Sequence, residues 1–151
     1  MKLKVEGLKE LDRALGELPK ATGKNVVRRV LRKSLEPILT AAKANAPVAT
    51  GRLRESMVIS SQLKRSQRGR RETRTGVTMY VGSGATGKVR HAPHAHLVEF
   101  GTAHRSPKPY MRPAFDANKE KVVEIQRQEL GTEIAKAWDR LVKKAAKRAA
   151  R

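Results

Sequence analysis

Four histidines, His91, His94, His96 and His104, fall in one short stretch of the chain. Imidazoles at such spacing can converge on zinc or nickel. The segment holds no cysteine, however, its nearest carboxylate is Glu99, and it is otherwise rich in Ala, Pro and Gly. No metal site is expected, and His94 or His96 reads better as a partly buried hydrogen-bonding residue beside the sheet. Glu99 is a lone acid in an apolar and basic stretch, and no second group nearby in sequence completes an acid–base pair. It is expected to form an ion pair, with Arg112 or Arg52, or to accept backbone hydrogen bonds. Ser83 sits between two glycines but lacks the residues of a nucleophile elbow. Gly84-Ala85-Thr86-Gly87-Lys88 is too short for a phosphate-binding loop. Neither catalysis nor a cofactor is expected.

The elements around these residues are legible from their periods. Lys2 to Glu6 alternate as a short strand ended by Gly7. Leu8, Leu11, Leu15 and Leu18 form a helical stripe that stops before Pro19. A second helix is predicted from about Lys20 to Asn45, with Val27, Val30, Leu31, Ser34, Ile38, Ala41 and Ala42 on its inner face and a solvated basic face opposite. Pro37 should kink or split it, Ala46-Pro47 should end it, and Thr50-Gly51 should turn the chain, with Gly51 at positive φ. Met57 to Leu63 and Val77 to Val81 then alternate as an antiparallel hairpin. Its connection, about 64–74, carries Lys64, Arg65, Arg68, Arg70, Arg71 and Arg74 against the single acid Glu72. A second irregular segment follows from Gly82 to Pro93. His96, Leu97 and Phe100 suggest one face of a short helix ended by Gly101. Beyond Pro107, Pro109 and Pro113, Leu130, Ile134, Trp138, Leu141 and Ala145 make the stripe of a long helix that Gly131 could interrupt.

Charge and size bound what these elements can do. The chain has 151 residues, Lys+Arg 34 against Asp+Glu 14, and a net charge of +20, so polyanions head the list of partners. Leu, Val, Ile and Phe make up about 21% of it, just above the roughly 20% below which a highly charged chain stays disordered. With aromatics at 3%, base-stacking platforms are hard to assemble. The absence of cysteine removes disulfide, zinc-knuckle and thiol chemistry. With no basic leader before an apolar stretch, and no run long enough to span a bilayer, a soluble protein made in the cytoplasm is expected, with no membrane partner. The expected fold is α+β: a small antiparallel sheet packed by a long kinked N-terminal helix, with a long C-terminal helix. One domain is expected over residues 1–125, with the basic hairpin loop at about 64–74, extended by a basic helix at 126–151.

Three segments carry a family resemblance: Ala46-Pro47-Val48-Ala49-Thr50-Gly51-Arg52-Leu53, then Val98-Glu99-Phe100-Gly101-Thr102, then Pro107-Lys108-Pro109-Tyr110-Met111-Arg112-Pro113-Ala114. In this order they resemble the neck or tail-completion proteins of long-tailed bacteriophages. The resemblance implies a structural virion protein at the head–tail junction, made in the host bacterium. It would act without catalysis as a ring subunit, most simply a hexamer, against head-completion and tail-terminator or tail-tube proteins. It also marks Pro47, Thr50, Gly51, Leu53, Glu99, Phe100, Gly101, Thr102, Pro109, Tyr110, Met111, Arg112 and Pro113 as scaffold positions. Tyr110 and Met111 are expected to be presented by a stiff connector before the last helix. Leu130, Ile134, Trp138 and Leu141 are expected to form an assembly face.

Two basic segments fall outside that pattern, the loop with Arg65, Arg68, Arg70 and Arg71 and the helix end with Lys143, Lys144, Lys147 and Arg148. They are expected to meet acidic neighbours in the virion or DNA in the channel. The alternative to the structural reading is a basic protein that binds nucleic acid without sequence specificity.

Overall fold

A computed structural model describes residues 13–49, 51–61, 76–83 and 92–149. It is α+β, mostly helical, with one small antiparallel sheet. Helix α1 runs Lys20–Asn45, the limits set by its flanking prolines. Pro19 precedes it at φ −51° and ψ 134°. Ala46 leaves it at φ −64° and ψ 126° because Pro47 disfavours helical backbone in the residue before it. Pro37 lies inside and does not split the helix. A helical turn at residues 13–16 precedes α1 and sets Leu18 into the core at 4% exposure.

The face that α1 buries is rotated from the expected one. Gly23, Val26, Val30, Ser34, Ile38 and Ala42 are buried, while Val27, Leu31 and Ala41 sit at the half-buried margins. The partner helix decides this, because Val26 packs with Ile134 and Ala137 and leaves its neighbour Val27, about 100° further round, at the edge of the seam.

After Gly51 come α2 (Arg52–Ser56) and β1 (Met57–Ser60), then β2 (Tyr80–Ser83), α3 (Ala95–Phe100) and α4 (Met111–Ala149). The strands pair antiparallel with Met57 opposite Ser83 and Ser60 opposite Tyr80. The second strand therefore starts later than its alternation suggested and takes in Gly82 and Ser83 from the segment expected to be irregular. Ser56 Oγ lies 2.9 Å from Ser83 Oγ, so the register is tied to the end of α2, where Met57 is buried.

Helix α4 is one element of 39 residues, about 58 Å long at 1.5 Å per residue. It begins at Met111 and runs unbroken through Gly131 and through residues 125 and 126. Pro113 sits in its first turn, where a missing N–H breaks no intrahelical bond. Helix α4 lies antiparallel to α1. At one end of the pair Ala42 and Ala46 meet Tyr110, Ala114 and Met57. At the other, Leu18 and Val26 meet Ile134 and Ala137. Between them Gln126 Nε2 donates to the buried Ser34 Oγ at 3.2 Å. The strand expected at Lys2–Glu6, the helix residues before Arg13, Thr50, the loop at 64–74 and residues 84–91 lie outside the described residues. No helix among the described residues is long and apolar enough to cross a membrane.

Candidate functional site

The most organised polar site is the corner between α3 and α4. Helix α3 ends at Gly101, whose φ of 78° suits a residue without a side chain. A Cβ there would come within 2.8 Å of the Arg105 carbonyl oxygen and 2.9 Å of the Pro107 nitrogen, both backbone atoms. The chain then doubles back. Thr102 and Arg105 exchange backbone hydrogen bonds, the His104 N–H reaches Thr102 Oγ1 at 3.3 Å, and the Lys108 N–H donates to the Val98 carbonyl at 2.9 Å.

This return brings the start of α4 onto Glu99. The Tyr110 and Met111 N–H groups donate to Glu99 Oε2 at 2.8 and 3.0 Å, and the Arg112 N–H donates to Oε1 at 3.1 Å. A helix leaves its first N–H groups without intrahelical partners, and a carboxylate satisfies them while complementing the helix dipole. Glu99 is 8% exposed. Burial by itself would raise its carboxyl, but the three backbone hydrogen bonds and the nearby Arg112 charge outweigh burial and hold it below the ordinary carboxylate value. Of the two roles expected for Glu99, backbone acceptor is the one seen. The Arg112 guanidinium lies instead over the Phe100 ring, 5.1 Å from its centroid.

Several expected positions move. His96, Leu97 and Phe100, expected as one face of the short helix, are all exposed in α3, while Glu99 with Val98 turns inward. The carboxylate's need for the α4 N–H groups fixes the rotation of so short a helix. Tyr110 and Met111 are not presented by a connector. Tyr110 is buried, with its hydroxyl 3.4 Å from the Ala95 carbonyl, and Met111 opens α4 against the same core. Burial, and secondarily the Glu99 charge, raises the Tyr110 hydroxyl above its ordinary value. Leu53 packs on this cluster, Pro47 is half-buried, Pro109 is exposed, and Gly51 has φ 72° as expected.

On α4, Ile134 is buried with Leu130 and Leu141 beside it, but Trp138 is 37% exposed and Ala137 takes the inner position. The stripe drifts as the helix follows α1, and the spacing from Ile134 to Ala137 was the available signal. Sequence reading also missed two ion pairs across the seam: Arg29 Nη1 to Glu133 Oε2 at 3.2 Å, and Lys33 Nζ to Glu129 Oε1. The hydrogen bond to Glu129 raises Lys33 above its ordinary value, against an opposing effect of desolvation.

The chemistry available is limited. His94, His96 and His104 are exposed, His91 lies outside the described residues, and no group of three potential metal ligands forms among those described. Ser83 Oγ is engaged by Ser56 Oγ and by the Ala92 carbonyl at 3.4 Å. Both oxygens of Glu99 are occupied by backbone donors. Lys143, Lys144 and Lys147 are exposed on the last turns of α4, where Arg148 also falls, while Arg65, Arg68, Arg70 and Arg71 lie outside the described residues. The arrangement satisfies the first N–H groups of α4 and fixes the direction in which it starts along α1.

Residues 9–101 match the family model of bacteriophage HK97-gp10-like tail components. The match covers more than half of the chain and ends at Gly101, so α4 lies beyond it. No curated protein and no solved structure matches the chain.

Proposed function

The chain belongs to the HK97-gp10-like family of bacteriophage tail components, a structural role in the virion, and from that premise we propose that it completes the tail and joins it to the head. It acts as a ring subunit, a hexamer in its simplest form, held between head-completion and tail-terminator or tail-tube proteins. It does so without catalysis. The observation that carries this reading is the locked corner: a carboxylate, a positive-φ glycine and a proline-rich return spend their chemistry on orientation. Around that corner Leu97, Phe100 and Phe115 are 44%, 63% and 54% exposed. Ring neighbours that cover them would add burial to a small core.

Sedimentation and negative-stain imaging of the purified chain test the ring, and joining of purified heads to tails tests the task. Rings in the wild type, and folded subunits without rings in Phe100→Ser/Phe115→Ser, are expected. A chain that stays monomeric at every concentration and still joins heads to tails would sink the ring reading.

A further inference from the structure

The antiparallel seam sorts charge in a way that neither helix shows alone. Ser34 against Gln126 and Arg29 against Glu133 fix the pairing, so the first half of α1 lies beside the second half of α4. Residues 13–36 and 126–149 at this end hold fourteen Lys and Arg against five Asp and Glu. Residues 37–49 and 111–125, at the end near the corner, hold four against three.

Within the basic end one feature is ordered. Lys20, Lys24, Arg28 and Arg32 recur at every fourth position of α1 and all four are exposed. They form a row about 18 Å long with cations roughly 6 Å apart along the axis, turned away from the buried Val26 and Val30. Arg28 donates to Asn25 Oδ1 at 2.9 Å, and none of the four has an ion pair among the described residues. The neighbouring Arg29 and Lys33, by contrast, are taken by Glu133 and Glu129. Like charges four apart on a helix repel, so the row holds three successive unfavourable pairs. Glu36, four residues beyond Arg32, and Glu17, three before Lys20, flank the row without forming an ion pair to it.

We propose that this end of the helix pair binds the phosphate backbone of double-stranded DNA, with the α1 row as the main contact and the α4 tip at Lys143, Lys144 and Lys147 as a second. A duplex carries one charge per about 1.7 Å of axis, so a row of this length has about ten phosphates within its span. Duplex backbone suits the end better than single strands, which need aromatic platforms: Trp138 is the one aromatic in residues 13–36 and 126–149. Binding is independent of sequence, because no contact of this kind reads base edges. It is also independent of the ring, since a lone subunit carries the same row.

The test is fluorescence anisotropy of the full chain with an arbitrary duplex of about 30 base pairs at salt from about 50 to about 200 mM. Lys20→Gln/Lys24→Gln/Arg28→Gln/Arg32→Gln is expected to make the log–log salt slope shallower by roughly 3.6, at about 0.9 per phosphate contact. The control Arg105→Gln/Lys108→Gln/Lys119→Gln/Lys121→Gln removes the same charge from exposed sites elsewhere and should leave the slope within about one unit. Equal losses in both variants, or no binding by the wild type, would overturn the proposal. Polyglutamate that displaces the duplex at equal charge concentration would also overturn it and assign the row to an acidic protein face. Failure of ring formation, with DNA binding intact, would strike only the junction reading.

Discussion

The two ends of the α1–α4 pair are held by different physics. Near the corner, small residues pack closely, with Ala42 and Ala114 at 0% exposure, and a buried carboxylate aims three backbone hydrogen bonds. At the distal end Leu18, Val26, Ile134 and Ala137 form an apolar plug flanked by two ion pairs whose Arg29 and Lys33 side chains are exposed and whose Glu133 and Glu129 side chains are partly buried. Directional hydrogen bonds fix an angle, whereas apolar contact fixes only proximity. The corner therefore fixes the direction in which α4 starts, and the distal end, joined by apolar contact and ion pairs, carries the excess charge.

The largest expected break is at the corner. Gly101→Ala places a Cβ against backbone atoms and into an extended positive-φ conformation (φ 78°, ψ −176°) that essentially only glycine adopts, and should cost about 4 kcal/mol by combined strain and overpacking. Chemical denaturation measures it, and a loss under about 1 kcal/mol would mean that the return loop yields easily. Next is the distal plug, where Ile134→Ala should cost about 3 kcal/mol without changing the acid limb of the stability curve.

Glu99→Gln should cost about 2 kcal/mol at neutral pH, since a neutral amide replaces a charge-assisted acceptor. Its pH signature separates the two ends. The folded-state value of Glu99 is depressed, so its contribution is fully present above the unfolded carboxylate value, near pH 4.5, and is lost as pH falls through the folded value. The variant should flatten that acid limb, while Ile134→Ala should keep it. A limb unchanged in Glu99→Gln would show that other carboxylates set it.

The smallest effects are expected where exposure is greatest. Trp138→Ala should cost about 1 kcal/mol, because the ring is only partly withdrawn from water. Gly51→Ala should also cost about 1 kcal/mol, from left-handed backbone alone, since the nearest atom to its Cβ would be Glu55 Oε1 at 3.9 Å. Thermal melts of Gly51→Ala and Gly101→Ala side by side show whether backbone strain or close approach dominates.

Local signals read correctly where the cause was local. Pro19 and Ala46-Pro47 bounded α1, because a proline constrains its own backbone and its neighbour's without reference to the rest of the fold. Gly51 was legible as a positive-φ position, and Gly101 as the end of a short helix, for the same reason. Glu99 was legible as an acceptor, since an acid with no catalytic partner in a basic stretch needs donors. Its donors were not, because the Tyr110, Met111 and Arg112 N–H groups become available only once α4 starts at Met111.

The sequence by itself determined the limits of α1, the turn at Gly51, the α+β class and the excess of positive charge, since each follows from residue type, short-range spacing or a sum. The long helix expected after Pro113 starts earlier, at Met111, where Glu99 accepts from its first N–H groups. Only the tertiary structure decided which face of α1 is buried, that Glu99 rather than Leu97 turns inward, that Ala137 displaces Trp138, and that β2 begins at Tyr80. It alone placed the basic half of α1 beside the basic half of α4. Faces and ends are relations between elements far apart in the chain, set by how two helices cross and which carboxylate meets which helix start, and no window of neighbouring residues contains them.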